Sequence, residues 1–250
     1  MENPEFSPLD ALERAFRRWW VIVLMTVLGG IAGWAFHFFT PPVYEATSVI
    51  TVNMDFQERQ LTQYEEDFAF GAAGAIGTSD EVENQIITQA KKNGIPIEID
   101  QLQQQMFLER KQSVWELHIR NRDPEIAAKL ANLWAQNFYQ ALNAALVHAN
   151  RADQIQSQID AITGGLSASG SSIFSPDYQT TLMNLSDEHL REQQSSQGII
   201  SIMKFAQTGS AIVPQSPVLY RLAILVLAGA CIGFVVSLWV AGSYKVQRYG

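Results

Sequence analysis

Two uncharged apolar stretches, Trp19 to Phe39 and Leu222 to Val240, stand near opposite ends of this 250-residue chain. A bilayer hydrocarbon core of about 30 Å takes roughly 20 apolar residues, and a helix is what satisfies its own backbone there. The first stretch, WWVIVLMTVLGGIAGWAFHFF, is interrupted only by Thr26 and His37, and the second, LAILVLAGACIGFVVSLWV, carries no charge. A secretory signal has an apolar region of about 7–15 residues ending at small residues. The first stretch is longer and ends in Phe38 and Phe39, so it reads as a retained span. The chain is therefore expected to cross a membrane twice, through helices at 19–39 and 218–241.

Cations flanking a span mark the cytoplasmic side. Arg14, Arg17 and Arg18 precede the first span, and Lys245 and Arg248 follow the second. This places segment 1–18 and tail 242–250 in the cytoplasm and exports residues 40–217. The exported part holds eleven Lys and Arg against twenty-one Asp and Glu, which argues against a nucleic-acid partner. The single cysteine, Cys231, lies within the second stretch, so the exported part has no disulfide and must be stabilised by packing.

Pro41-Pro42 stops the first helix. YEATSVITVN, 44–53, alternates and is rich in Val, Ile and Thr, the pattern of a strand. Residues 57–70 carry Leu61, Tyr64 and Phe68 at helical spacing, and the following GAAGAIG is expected to loosen the chain. Ser79 is an N-cap for a helix with the apolar stripe Val82, Ile86, Ile87 and Ala90, stopped at Asn93-Gly94. A short helix around Asp100 to Met106 leads to a strand, SVWELHIR. Its alternation buries Trp115, Leu117 and Ile119 and leaves Val114, Glu116, His118 and Arg120 on a wet face. A long helix at about 124–162 follows, starting at Pro124, and its distal half is expected to protrude and pack on a neighbour. Gly164 to Ser172 reads as a flexible link to a returning helix around Asp177 to Gln194. A strand kinked near Gly209 then runs up to Pro214 and Pro217. The fold class expected is an α/β (α+β) exported domain with a long protruding helix, between two transmembrane helices.

RRWW before the first span, PPVYEATSVITV after it, TSDEVENQIITQAKKNGI, VWELHIRNRDPEIAAKLANLWAQNF and finally AQTGSAIVPQSPVLYR occur in an order that resembles the Wzz-type chain-length determinants, or polysaccharide copolymerases. The resemblance implies a bacterial inner-membrane protein forming homo-oligomers. It would regulate how many repeat units a polysaccharide polymerase adds to a lipid-linked surface or secreted polysaccharide such as O-antigen, capsule or exopolysaccharide. The chain is short for the family, and only GSYKVQRYG follows the second span, so a form without a fused tyrosine-kinase domain is expected. An alternative within the same resemblance is an adaptor or activator of a separate cytoplasmic tyrosine kinase, meeting it through Tyr244 and Tyr249.

No catalytic constellation is legible, so the protein is expected not to be an enzyme and to need no cofactor or metal. His37, His118, His148 and His189 are scattered, with no pair at metal-ligand spacing. Glu65-Glu66-Asp67 reads as a solvated helix face, and Thr208-Gly209-Ser210 is no phosphate loop. Three sets of residues remain. Gly29 and Gly33, with Gly229 and Gly233, are small residues four apart in each span and suit close helix packing in lipid. Pro41, Pro42, Pro214 and Pro217 form candidate membrane-proximal joints. Arg110, Lys111, Arg120 and Arg122 are the densest basic cluster, a candidate contact for an anionic glycan or a neighbouring subunit.

Overall fold

A computed structural model describes residues 19–57, 60–169, 176–219 and 221–243. Two compact units emerge: one is Glu45–Pro214, and the other gathers the apolar helices from the two ends of the chain. The flanking cations Arg14, Arg17, Arg18, Lys245 and Arg248, and Tyr244 and Tyr249 of the tail, lie outside the described residues.

In the second of these units, helix α1 spans Trp19–Phe39 and the last helix, α7, spans Leu222–Ser243. Both are long and apolar enough to cross a membrane. Val23, Val27, Leu28 and Ile31 of α1, with Leu227, Val235 and Trp239 of α7, are half or more exposed, and no residue of α1 is buried. A continuous apolar surface of this kind is stable against lipid tails. The hydroxyls inside it are satisfied locally: Thr26 Oγ1 donates to the Ile22 carbonyl at 2.8 Å, and Ser237 Oγ to that of Phe234 at 2.6 Å. Beyond α1, Val43 bridges to Leu219, and the Val218 N–H donates to the Val43 carbonyl at 2.9 Å.

The unit Glu45–Pro214 is built on a four-stranded sheet in the order β2-β3-β1-β4. Strand β1 (Tyr44–Met54) pairs antiparallel with β4 (Met203–Gly209), and β2 (Met106–Lys111) pairs antiparallel with β3 (Val114–Asn121). Ala46, Ser48, Ile50 and Val52 of β1 face inward. The β1–β4 register slips between Val49, opposite Gly209, and Ile50, opposite Gln207, a bulge at the expected kink. Strand β2 is a correction, because sequence reading finds no strand there. Its turn, Gln112-Ser113, puts Gln112 at φ 55 without the Gly, Asn or Asp that announce such hairpins.

Helix α2 (Gln63–Gly77) corrects both ends of the expected 57–70 helix. Thr62 and Glu65 form a capping box, with Thr62 N–H to Glu65 Oε2 at 2.8 Å, which fixes the start. The GAAGAIG run stays helical, although glycine costs about 1 kcal/mol against alanine in a helix, because its bare positions receive aromatic rings. A Cβ on Gly74 would meet Trp115 at 2.5 Å, and one on Gly77 would meet Phe138 at 2.8 Å. Helix α3 (Asp80–Lys92) is capped by Ser79, and Gly94, at φ 75, ends it in a Schellman turn with Ile95 N–H to the Ala90 carbonyl at 2.9 Å. Helix α4 (Ile99–Gln105) follows.

Helix α5 (Pro124–Ser169) is capped by Asp123 Oδ1, which accepts from Glu125 N–H at 2.8 Å and Ile126 N–H at 3.1 Å. Its 46 residues make about 69 Å at 1.5 Å per residue. Leu130, Trp134, Phe138 and Leu142 form its buried stripe, against α2, α3, β3 and β4. One correction concerns its distal part: the helix continues to Ser169, through Gly164 and Gly165, which by composition read as a link, while 170–172 of that link lie outside the described residues. The returning helix expected around Asp177 to Gln194 is α6 (Pro176–Ser195), running back along this part with His148 Nδ1 2.6 Å from Glu192 and Arg151 3.0 Å from Glu188. Gly198, at φ 86, then turns the chain towards β4.

At the start of the exposed turn after β1, Lys204 Nζ lies 2.9 Å from Asp55 Oδ2, and the Gln57 N–H donates to Oδ1 at 3.2 Å. The hydrogen bond from Lys204, then that from Gln57, holds the Asp55 carboxyl below its ordinary value. The folded state thus binds this proton more weakly than the unfolded chain. Its contribution is present above about pH 4 and is lost as pH falls through the lowered folded value. Asp55→Asn is expected to lower the urea midpoint at pH 6 slightly, with the difference from wild type shrinking as pH is lowered to 3. An equal difference at both pH values would contradict this.

Candidate functional site: the glycine faces and the outer face of the sheet

The small residues of α1 and α7 face one another. A Cβ built on Gly29 would run into the Gly229 carbonyl oxygen and come 3.0 Å from the Gly233 Cα. One on Gly33 would strike the Leu225 carbonyl, one on Gly229 the Gly29 carbonyl, and one on Gly233 the Met25 carbonyl. Since Met25 meets Gly233 while Gly33 meets Leu225, the helices run antiparallel. Backbone rests on backbone over these turns, which only glycine allows. Gly30 is different: its nearest neighbours would lie at 3.9 Å, an ordinary contact.

Of the prolines, Pro41 and Pro42 follow α1 after Thr40, Pro214 ends the sheet-bearing unit, and Pro217 precedes α7, its carbonyl accepting from Arg221 Nε. Their backbone positions suit chain stops and helix entry.

The four cations do not form one basic patch. Strand alternation sends Arg110 and Lys111 to opposite faces of β2. Arg110 lies over the Phe70 ring, 4.3 Å from its centroid, and pairs with Asp67 at 3.0 Å. Lys111 Nζ sits 2.8 Å from Glu116 Oε2 and 3.6 Å from Glu109 Oε2. Arg120 Nε pairs with Glu45 at 2.6 Å. Arg122 is exposed, and no ion pair holds it among the described residues.

What the fold assembles instead is a mixed-charge cluster on the face of the sheet turned away from α5. β1 lies beside β3, with Val52 N–H bonded to the Ser113 carbonyl at one end and Glu45 paired with Arg120 at the other, so the two run antiparallel. His118 is thereby enclosed by Glu45, Glu109 and Glu116, and it is only 9% exposed. This corrects the expectation of a surface histidine: its face is the wet one by alternation, yet long side chains from both neighbouring strands cover it. Glu109, Glu116 and His118 each bring one ligand-type atom within 4.8 Å of the others. The hydrogen bond from Lys111 holds the Glu116 carboxyl below its ordinary value, and the same bond raises the Lys111 ammonium. Sequence reading misses this group because Glu109 lies on the strand it did not find.

Against known proteins, residues 12–110 match the family model described as "Wzz: Chain length determinant protein". The family is the one that the ordered sequence segments resemble; of those segments, the ones from Val114 onward lie beyond the matched region. No curated protein gives a significant match. Among solved structures, a full-length bacterial polysaccharide co-polymerase aligns over 94% of this chain and 96% of its own, at 12% identity and a TM-score of 0.42.

Proposed function

We propose that this chain, which carries the Wzz chain length determinant region over residues 12–110, regulates the length of a surface or secreted polysaccharide, acting as a membrane homo-oligomer on a polysaccharide polymerase and its lipid-linked product rather than as a catalyst. The observation that carries the reading is the family match, which runs from the first apolar helix through β1, α2, α3 and α4 to the hairpin strand β2. The antiparallel pairing of α1 and α7 supports a two-span arrangement with both chain ends on one side. The cations in the sequence before α1 and after α7 favour the cytoplasm for that side. Residues 40–217 are then exported from the bacterial inner membrane.

The glycine faces suit a rigid two-helix anchor, and Pro41, Pro42, Pro214 and Pro217 suit stiff joints at its outer edge. Arg122 is the member of the basic set best disposed for a glycan or a neighbouring subunit, because the other three already pair with carboxylates of their own chain.

Removing the gene from its host, together with any second copy, is expected to change the size distribution of one extracted polysaccharide on a gel. Restoring the full chain is expected to bring the distribution back. An unchanged distribution would overturn the proposal.

A further inference from the structure

In the β2–β3 hairpin, Glu109 stands directly opposite Glu116, an arrangement that like charges disfavour unless a cation lies between them. Lys111 supplies part of that charge from one side. A third group looks into the same space. His118, two residues beyond Glu116 and therefore on the same face, holds Nε2 at 3.3 Å from Glu116 Oε2 and 3.5 Å from Glu109 Oε2. This nitrogen is buried and makes no hydrogen bond among the described residues.

The other ring nitrogen is engaged. Nδ1 lies 3.0 Å from Thr47 Oγ1 and 3.1 Å from Glu45 Oε1, and Glu45 is itself held by Arg120. A proton on Nδ1 donated to Glu45 leaves a lone pair on Nε2, directed at two carboxylates. Two anions and a lone pair then converge with the Lys111 ammonium as the one cation among them, on their open side, a place that a metal cation can take. A carboxylate that orients the far nitrogen of the ring is also the usual support of a metal-binding histidine.

The distances favour a particular class of ion. Around tetrahedral zinc, bonds of about 2.0–2.2 Å separate neighbouring ligand atoms by about 3.3–3.5 Å. Two edges of that figure are already present, at 3.3 and 3.5 Å. Calcium takes six to eight oxygens and gains little from an imidazole, whereas one imidazole with two carboxylates suits zinc and its neighbours. We propose that Glu109, Glu116 and His118 form a binding site for a divalent transition-metal cation of the Zn2+ class. Glu45 and Thr47 orient the imidazole, and Lys111 is the counter-cation that the metal displaces. The Lys111 side chain is 53% exposed, so its ammonium can swing into solvent when a metal enters. The bound ion ties β2 to β3 and leaves coordination positions open towards solvent.

The test uses the full chain in detergent, stripped with a chelator and titrated with zinc chloride alone by calorimetry, with cobalt absorption reporting a tetrahedral environment. Wild type is expected to bind one zinc. Glu109→Gln, at a side chain 42% exposed and so safe for folding, is expected to weaken binding by about 10–100-fold or more. His118→Gln is expected to abolish the cobalt bands while circular dichroism shows the fold intact. Lys111→Met is expected to tighten binding by about tenfold, the direction set by removing a competing charge. Binding by Lys111→Met when wild type shows none also supports the site, with lysine as its resident cation. Zinc binding that Glu109→Gln leaves unchanged, or binding absent from both wild type and Lys111→Met, overturns the proposal.

Discussion

Gly29→Ala is expected to drive α1 and α7 apart, while Gly30→Ala, one residue away, is expected to leave them together. The difference lies in what each new methyl meets. At Gly29 it meets the backbone of Gly229 and Gly233, which cannot rotate aside. At Gly30 it meets Ala230 Cβ and the Cγ1 and carbonyl oxygen of Val226, all at an ordinary van der Waals distance of 3.9 Å, and alanine even improves helix propensity. Overpacking of this kind costs about 1–3 kcal/mol where a neighbour can yield. Here the neighbours are main chain, so the upper part of that range applies. In lipid there is no hydrophobic force to hold two apolar helices together, and their association rests on close packing, so loss of contact is loss of the pair. Gly229→Ala and Gly233→Ala should behave like Gly29→Ala, since their methyls strike the facing carbonyls of Gly29 and Met25. Leu28 and Ile232 line one groove of the helix pair. Pyrene labels on cysteines at these two positions, with Cys231 replaced by Ala, would report separation through loss of excimer emission during titration with SDS. Equal midpoints for the Gly29 and Gly30 variants would rule out the backbone contact as the source of the pairing.

Where burial follows a simple period, the sequence declared it. The charge-free runs of α1 and α7, the alternation of β1 and β3 and the 3–4 spacing of α5 each repeat one environment several times. The errors arise where a distant partner decides. Gly74 and Gly77 look like helix breakers because their compensation, the rings of Trp115 and Phe138, comes from other elements. Gln112-Ser113 gives no turn signal, so β2 and with it Glu109 went unseen. Alternation assigned His118 to the correct face and the wrong depth, because parity says which way a side chain points and nothing about what covers it. The basic set illustrates the same point. Arg110 and Lys111 are neighbours in sequence, but the pleat separates them and each finds its own carboxylate. The mixed-charge cluster was invisible for a related reason: its four members come from three strands, and only the sheet order brings them within reach.

Trp134→Ala is expected to be the most damaging single change in the sheet-bearing unit. Trp134 is wholly buried at the middle of the α5 stripe, and its Nε1–H donates to the Gly77 carbonyl at 2.7 Å. That carbonyl belongs to the last turn of α2, where carbonyls have no partner within their own helix. The indole therefore does two things: it fills the centre of the core, and it caps the end of the helix that the core must hold. Truncation of a buried Trp costs about 3–5 kcal/mol from lost contacts and the cavity left behind. The carbonyl left unpaired adds about 1–3 kcal/mol if water cannot reach it. Against a total stability of about 5–15 kcal/mol for a domain, that is enough to unfold a sizeable fraction of molecules. Trp134→Phe separates the two parts, because it retains most of the ring volume while removing the donor, so a loss nearer 1–2 kcal/mol is expected. Gly77→Ala attacks the same contact from α2: its methyl would press on the Phe138 ring, which lies within a turn of Trp134. Because both changes disturb one interface, the double variant should lose less than the sum of the singles. Urea titrations of the full chain in detergent, followed by circular dichroism, give all four stabilities. A Trp134→Ala midpoint close to wild type would mean that α2 is held by something other than its glycine face on α5.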